Sequence, residues 1–131
     1  MSVVYNILTK NNTMTWNSLT DVSQLDAIKE ESFKHPVLIF KHSTTCSISA
    51  TALNRLERNW KQEKVGELKP YYLDLLRNRA LSTQIASTFD IEHQSPQVLL
   101  IKDGVCIYSA THFDISFKEL ENFTASPRVE F

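Results

Sequence analysis

A chain of 131 residues with 42% hydrophobic content holds enough apolar material for one compact core, and its 14 basic and 15 acidic side chains nearly cancel without either sign forming a long block. That balance argues against a phosphate backbone or an anionic bilayer as partner, so neither nucleic acid nor membrane is expected. No stretch reaches the roughly 18 apolar residues that cross a bilayer, Val3 to Leu8 is too short for a secretory leader, and two cysteines make no disulfide framework, all of which fits a reducing cytoplasm.

In chain order, Val22, Leu25 and Ile28 recur at helical spacing between Thr20 and Phe33, with Thr20 or Asp21 placed to cap the start and Pro36 just beyond the end. Val37-Leu38-Ile39-Phe40 is a continuous apolar run, the pattern of a strand covered on both faces, and is expected to be central. A polar loop from Lys41 to Thr45 follows. Ser47 to Gln62 then sets Ile48, Ala52, Leu56 and Trp60 four apart, an amphipathic helix. The charged linker Glu63 to Lys69 leads into a second strand, Tyr71 to Leu75, and a strand-helix-strand crossover implies parallel pairing.

Asn78 is placed to cap a helix carrying Leu81, Ile85 and Phe89, which ends before the polar turn Glu92-His93-Gln94-Ser95. Asp103-Gly104 between Val98–Ile101 and Val105–Tyr108 predicts an antiparallel hairpin. Asp114 is placed to cap a last helix through Ile115, Leu120 and Phe123, and a polar tail follows from Thr124. The order predicts a layered α/β fold with a mixed four- to five-stranded sheet flanked by helices. A single domain over residues 1–131 is expected, with its core at about 16–123 and a tail at 124–131.

Cys46 falls where the first buried strand has ended and a helix begins. A sulfur at that N-cap faces the unpaired N–H groups of Ile48 and Ser49 and the positive end of the helix dipole, and both favour the thiolate. Its neighbours Ser43, Thr44, Thr45, Ser47 and Ser49 are polar, unlike those of an inert buried cysteine. Cys46-Ser47-Ile48-Ser49 reads Cys-x-x-Ser, so Ser49 stands where a dithiol motif carries its second cysteine. Its hydroxyl can donate a hydrogen bond to the sulfur but cannot form a disulfide, and such a site should accumulate mixed disulfides with a small thiol. Cys106 lies inside an apolar strand and reads as packing.

A metal site built on His42 and Cys46 with His35, His93 or His112 lacks the paired spacing zinc sites show. A peroxiredoxin motif fails too, because Ile39 and Ser43 occupy its proline and threonine positions. Two other readings stay open: a redox-inactive binding module in which Cys46 is incidental, and a dithiol enzyme in which Cys106 resolves Cys46.

Two segments, Lys41-His42-Ser43-Thr44-Thr45-Cys46-Ser47-Ile48-Ser49 and His93-Gln94-Ser95-Pro96-Gln97-Val98-Leu99, together with the Lys102-Asp103-Gly104 turn, resemble the monothiol bacilliredoxins, the YtxJ family, from about Trp16 to Phe123. The resemblance implies a thioredoxin-like three-layer sandwich. It also implies an activity, removal of bacillithiol from protein mixed disulfides through Cys46, with Ser49 beside the thiol. Bacillithiol would be co-substrate and no cofactor tightly bound; the partners would be bacillithiolated proteins, bacillithiol, and other redoxins or a flavin reductase. Thr45, Ser47 and Ile48 around the thiol, and Ser95, Pro96 and Gln97 opposite it, are the implied substrate cradle.

Sequence alone favours a trans Ser95-Pro96 bond, whereas the resemblance implies a cis one. Lys41 and His42 are the nearest cations for the malate carboxylates of bacillithiol. Asp74, at its strand's end, could relay protons to the sulfur or cap the next turn, the latter slightly favoured. Ser47 departs from the family's proline, which loosens the helix entry and adds an N–H.

Overall fold

A computed structural model describes residues 14–124; the apolar cluster Val3 to Leu8 and residues 125–131 lie outside them. Five strands form one sheet in the order β1-β3-β2-β4-β5: β1 (Asn17–Ser18), β2 (Val37–His42), β3 (Lys69–Asp74), β4 (Gln97–Lys102) and β5 (Val105–Thr111). β2 pairs parallel with β3 and antiparallel with β4, and β4 with β5 antiparallel, so the sheet is mixed. Around it pack α1 (Ser23–Glu31), α2 (Ser47–Asn59), a single turn α3 (Gln62–Val65), α4 (Arg79–Phe89) and α5 (Phe117–Thr124). Among the described residues no helix is long and apolar enough to cross a membrane.

The continuous apolar run of β2 follows from burial on both sides. Its side chains alternate: Leu38 and Phe40 join Val98 and Leu100 of β4 under Ala52 and Leu56 of α2, Trp60 just past its end, and Phe117 and Leu120 of α5. Val37 and Ile39 join Leu99 and Ile101 under Leu25 and Ile28 of α1 and Leu81, Ile85 and Phe89 of α4. Two separate cores therefore press on one sheet. Fully burying each such Leu, Ile or Phe contributes about 1.5–3 kcal/mol.

The hairpin is closed by Asp103 (φ 53°) and Gly104 (φ 82°), the left-handed pair a two-residue turn requires. Its tip docks on the end of α1: Asp103 N and Gly104 N donate to the carbonyl (2.9 Å) and hydroxyl (2.8 Å) of Ser32.

Several boundaries differ from the sequence reading for physical reasons. β2 does not stop at Phe40. Lys41 and His42 continue its ladder with β3, and both are buried, because each side chain finds an internal polar partner. The buried stripe of α2 starts at Ser49 rather than Ile48, which is exposed; Ser49, Ala52 and Leu56 keep the three-then-four spacing of one helix face. α2 ends at Asn59, because Trp60 turns extended (ψ 129°) and its indole N–H donates to the Gln62 side chain at 3.0 Å. The linker after it is helical through Val65.

The N-cap of α1 is Val22. Asp21 acts one residue earlier by accepting from Ser23 N at 3.2 Å, while the Gln24 side chain accepts from Thr20 N and Asp21 N. Asn78 is the N-cap of α4 by position, but its amide donates backward to Asp74 O instead of capping. Asp114 belongs to a 3-10 turn, His112–Asp114, and Ser116 caps α5 by accepting from Glu119 N at 3.3 Å. Thr124 ends α5 instead of opening a tail.

Candidate active site

The site lies beyond the carboxyl end of β2. The chain leaves His42, turns with Cys46 N donating to Ser43 O at 3.1 Å, and enters α2 with Cys46 as N-cap in an extended conformation (φ −107°, ψ 121°). The Cys46 carbonyl accepts the first helical bond from Ala50 N at 3.0 Å. Cys46 is half-buried, and Thr44, Thr45, Ser47 and Ile48 around it are exposed, so the thiol sits at a polar, reachable corner. Its side chain makes no capping hydrogen bond. The expected bonds from Ile48 N and Ser49 N to the sulfur are therefore not formed.

Ser49 also differs from expectation. It is fully buried, and its hydroxyl accepts from Ser43 N at 3.1 Å and lies 2.6 Å from His42 Nδ1, not on the sulfur. The imidazole packs between Phe40 and Tyr72, and burial lowers the His42 pKa below its ordinary value, against the opposing pull of Asp74 and Glu57. Lys41, one residue earlier, points through the other face of the sheet. It is fully buried, donates to Ser82 O at 3.3 Å and lies 3.2 Å from His93 Nδ1; burial lowers its pKa to about 8. Lys41 and His42 are thus interior groups rather than surface cations for malate.

The second loop carries a cis Ser95-Pro96 bond. The register pairing Lys41 with Gln97 carries on to set Pro96 beside His42, at the end of β2 from which the Cys46 loop departs. Gln97 is buried and spends its amide on the loop itself, accepting from Gln94 N and donating to Glu92 O, so its side chain braces the cradle rather than lining it. Ser95 is half-buried, and its hydroxyl oxygen has no hydrogen-bond partner.

A third segment, absent from the sequence reading as a site element, closes this corner. His112 adopts a left-handed φ of 52°, its N–H donates to Pro96 O at 3.1 Å, and Phe113 beside it is 71% exposed. A polar residue with positive φ at the end of an edge strand leaves no periodic trace. The only available signal was a histidine just past the hairpin.

Cys106 sits elsewhere. It pairs with Ile101, which pairs with Val37, so it is level with the start of β2 while Cys46 follows the end. Five strand residues span about 17 Å at 3.3 Å each, and a disulfide needs Cα atoms within about 7 Å. Its thiol donates to Tyr108 O at 3.3 Å, and burial pushes its pKa up. The dithiol reading does not fit this geometry. Asp74 accepts from Arg77 N at 3.4 Å in the following turn, the capping role. Trp16, Trp60, Tyr71 and Tyr72 pack, as expected, rather than line the site. Among the described residues no three His, Cys, Asp or Glu side chains gather where they could hold a metal ion.

A mixed sheet with a single cysteine opening a helix, facing a cis-proline loop, defines a thioredoxin-like thiol site. The fold is shared widely: a solved structure assigned as an oxidoreductase with a thioredoxin fold is 29% identical, covers 81% of this chain and 90% of its own, and superposes with TM-score 0.70. The thioredoxin of Malassezia sympodialis (12% identity, 86% and 92% covered, TM-score 0.69) and mitochondrial thioredoxin 3 of Saccharomyces cerevisiae (15%, 83% and 92%, 0.63) share the fold. The sequence model described as monothiol bacilliredoxin BrxC matches residues 17–120, and the chain belongs to that family. Family and fold together support a thiol-disulfide redox role.

Proposed function

We propose that this protein removes bacillithiol from protein mixed disulfides, using Cys46 as its one exchanging thiol, in the reducing cytoplasm. The observation that carries this reading is a reachable, half-buried Cys46 at a helix start, with a serine three residues on and the second cysteine at the far end of the sheet. Such a thiol has no internal partner with which to form a disulfide. In the first step the Cys46 thiolate attacks the bacillithiol sulfur of the mixed disulfide, and the substrate protein leaves as its thiolate. In the second, an external thiol, from bacillithiol itself or from another redoxin, attacks the bacillithiol sulfur on Cys46 and releases the enzyme thiolate. A flavin reductase would then reduce the resulting disulfide back to its thiols.

Thr45, Ser47, Ile48, Ser95 and Pro96 would surround the bound disulfide, while His42 and Ser49 brace the Cys46 loop, Gln97 braces the cis-proline loop, and Lys41 holds His93 from the opposite face of the sheet. Offering one substrate protein loaded with bacillithiol, and separately with glutathione, tests the reading. Faster release of bacillithiol, with its mass carried on Cys46, is expected. Equal rates for the two thiols would contradict the assigned co-substrate.

A further inference from the structure

Beneath Cys46 lies a hydroxyl with competing claims on it. Ser49 Oγ has one proton to give and two lone pairs to accept with. The backbone N–H of Ser43 can only donate, so its 3.1 Å bond takes one lone pair. The 2.6 Å contact with His42 Nδ1 must then be read in one of two ways. If Nδ1 carries no proton, the hydroxyl donates to it and has nothing left for the sulfur. If Nδ1 is protonated, the imidazole donates, both lone pairs are filled, and the hydroxyl proton is free to turn elsewhere.

Ser49 is three residues past the N-cap Cys46. Side chains three apart share a helix face with Cβ atoms about 5–6 Å apart and lean toward the N-terminus, so a turn of the Cys46 side chain, which makes no capping hydrogen bond, brings the sulfur to the freed proton. We propose that His42 is a positioning residue for the thiol: through Ser49 it withholds a hydrogen bond from the Cys46 sulfur while Nδ1 is unprotonated and releases that bond when Nδ1 gains a proton. The inference rests on Cys46 being the exchanging thiol. It concerns only where hydrogen-bond protons lie.

The groups facing His42 set the direction of the switch. Asp74 is its partner across β3. Glu57 reaches it from α2, held at 2.8 Å by the Trp16 indole N–H, and the Tyr72 ring stands 5.6 Å away. Lys41 is on the opposite face of the sheet. The two carboxylates favour the imidazolium, but burial outweighs them and keeps the ring neutral at pH 7. As pH falls through the lowered His42 pKa, the hydroxyl is released. The same release would assist the resolving step, in which Cys46 departs as thiolate and accepts the hydrogen bond from Ser49.

Heteronuclear NMR of the imidazole, together with the pH dependence of Cys46 alkylation by iodoacetamide, tests this on the full chain, its His42→Phe variant and its Ser49→Ala variant. The wild type should show the Nε2–H tautomer at pH 7, and an alkylation profile with a low-pH inflection at the His42 titration. His42→Phe should lose that inflection and react about tenfold faster at pH 6, the effect of one charge-assisted hydrogen bond always available. Ser49→Ala should lose the inflection without the acceleration. An Nδ1–H tautomer at neutral pH, or a His42→Phe profile that superimposes on the wild type, would overturn the inference. If His42→Phe fails to fold, the wild-type tautomer and the Ser49→Ala profile still decide it. Both signatures in a protein that transfers no bacillithiol would sink the proposed activity and leave this inference standing.

Discussion

Lys41 offers a quantitative test of how the sheet tolerates polar groups. Its ammonium is fully buried, and its hydrogen-bond partners are the Ser82 carbonyl and the His93 imidazole, both neutral in the state that bonds it. Burial lowers its pKa from 10.5 to about 8, which at about 1.4 kcal/mol per pH unit is a penalty of roughly 3 kcal/mol for keeping it charged at pH 7. The sign follows from proton counting. Between pH 8 and 10.5 the unfolded chain binds more protons at this site than the folded one, so stability rises with pH across that window.

A Lys41→Met variant keeps an unbranched side chain, removes the penalty and loses two hydrogen bonds worth about 1 kcal/mol each. The variant should therefore be more stable than the wild type by about 1 kcal/mol at pH 7. That advantage should vanish by pH 9 and turn into a deficit by pH 10, once the wild type has shed the proton. Urea midpoints of both proteins from pH 7 to 10 measure it. A difference that stays constant over the range would refute the assignment of a strained charge to Lys41.

Other outcomes follow from the same geometry. Leu99→Ala, in the centre of β4 with no exposure, should cost about 2–5 kcal/mol in urea denaturation. Gly104→Ala places a Cβ at φ 82° and 3.1 Å from the Phe33 ring, so a loss of about 1–3 kcal/mol is expected by thermal denaturation, and a neutral result would contradict the turn geometry. Cys106→Ala should leave bacillithiol transfer rates within about twofold of wild type, because at about 17 Å of strand from Cys46 it cannot take part. A large loss of turnover in that variant would revive a resolving role.

Much of the architecture was legible because burial writes itself into hydropathy. An unbroken apolar run such as Val37–Phe40 needs cover on both faces, and Asp103-Gly104 between two such runs needs a hairpin. What escaped was set by long-range partners. The last two residues of β2 are polar, and nothing local says that Lys41 will meet Ser82 and His93, or His42 meet Ser49, across the sheet. β1 is two polar residues paired with β3, with the Asn17 amide also donating to Pro70 O at 3.0 Å, and it has no periodicity to read.

The thiol's position was visible because a helix start leaves a local signature. The surroundings were only half visible. Ser49 was placed at the right position but assigned the wrong partner, since a hydroxyl adjacent in the motif is held by a strand residue and the loop after it. His112 reached the site through a backbone bond to Pro96 that spacing does not encode.

The central claim is that Cys46 alone takes up the small thiol. Incubating the purified protein and its Cys46→Ala variant with bacillithiol disulfide, then reading intact and peptide masses, tests it most directly. A single bacillithiol adduct confined to Cys46 of the wild type is predicted. An adduct on Cys106, or equal labelling of both proteins, would contradict it.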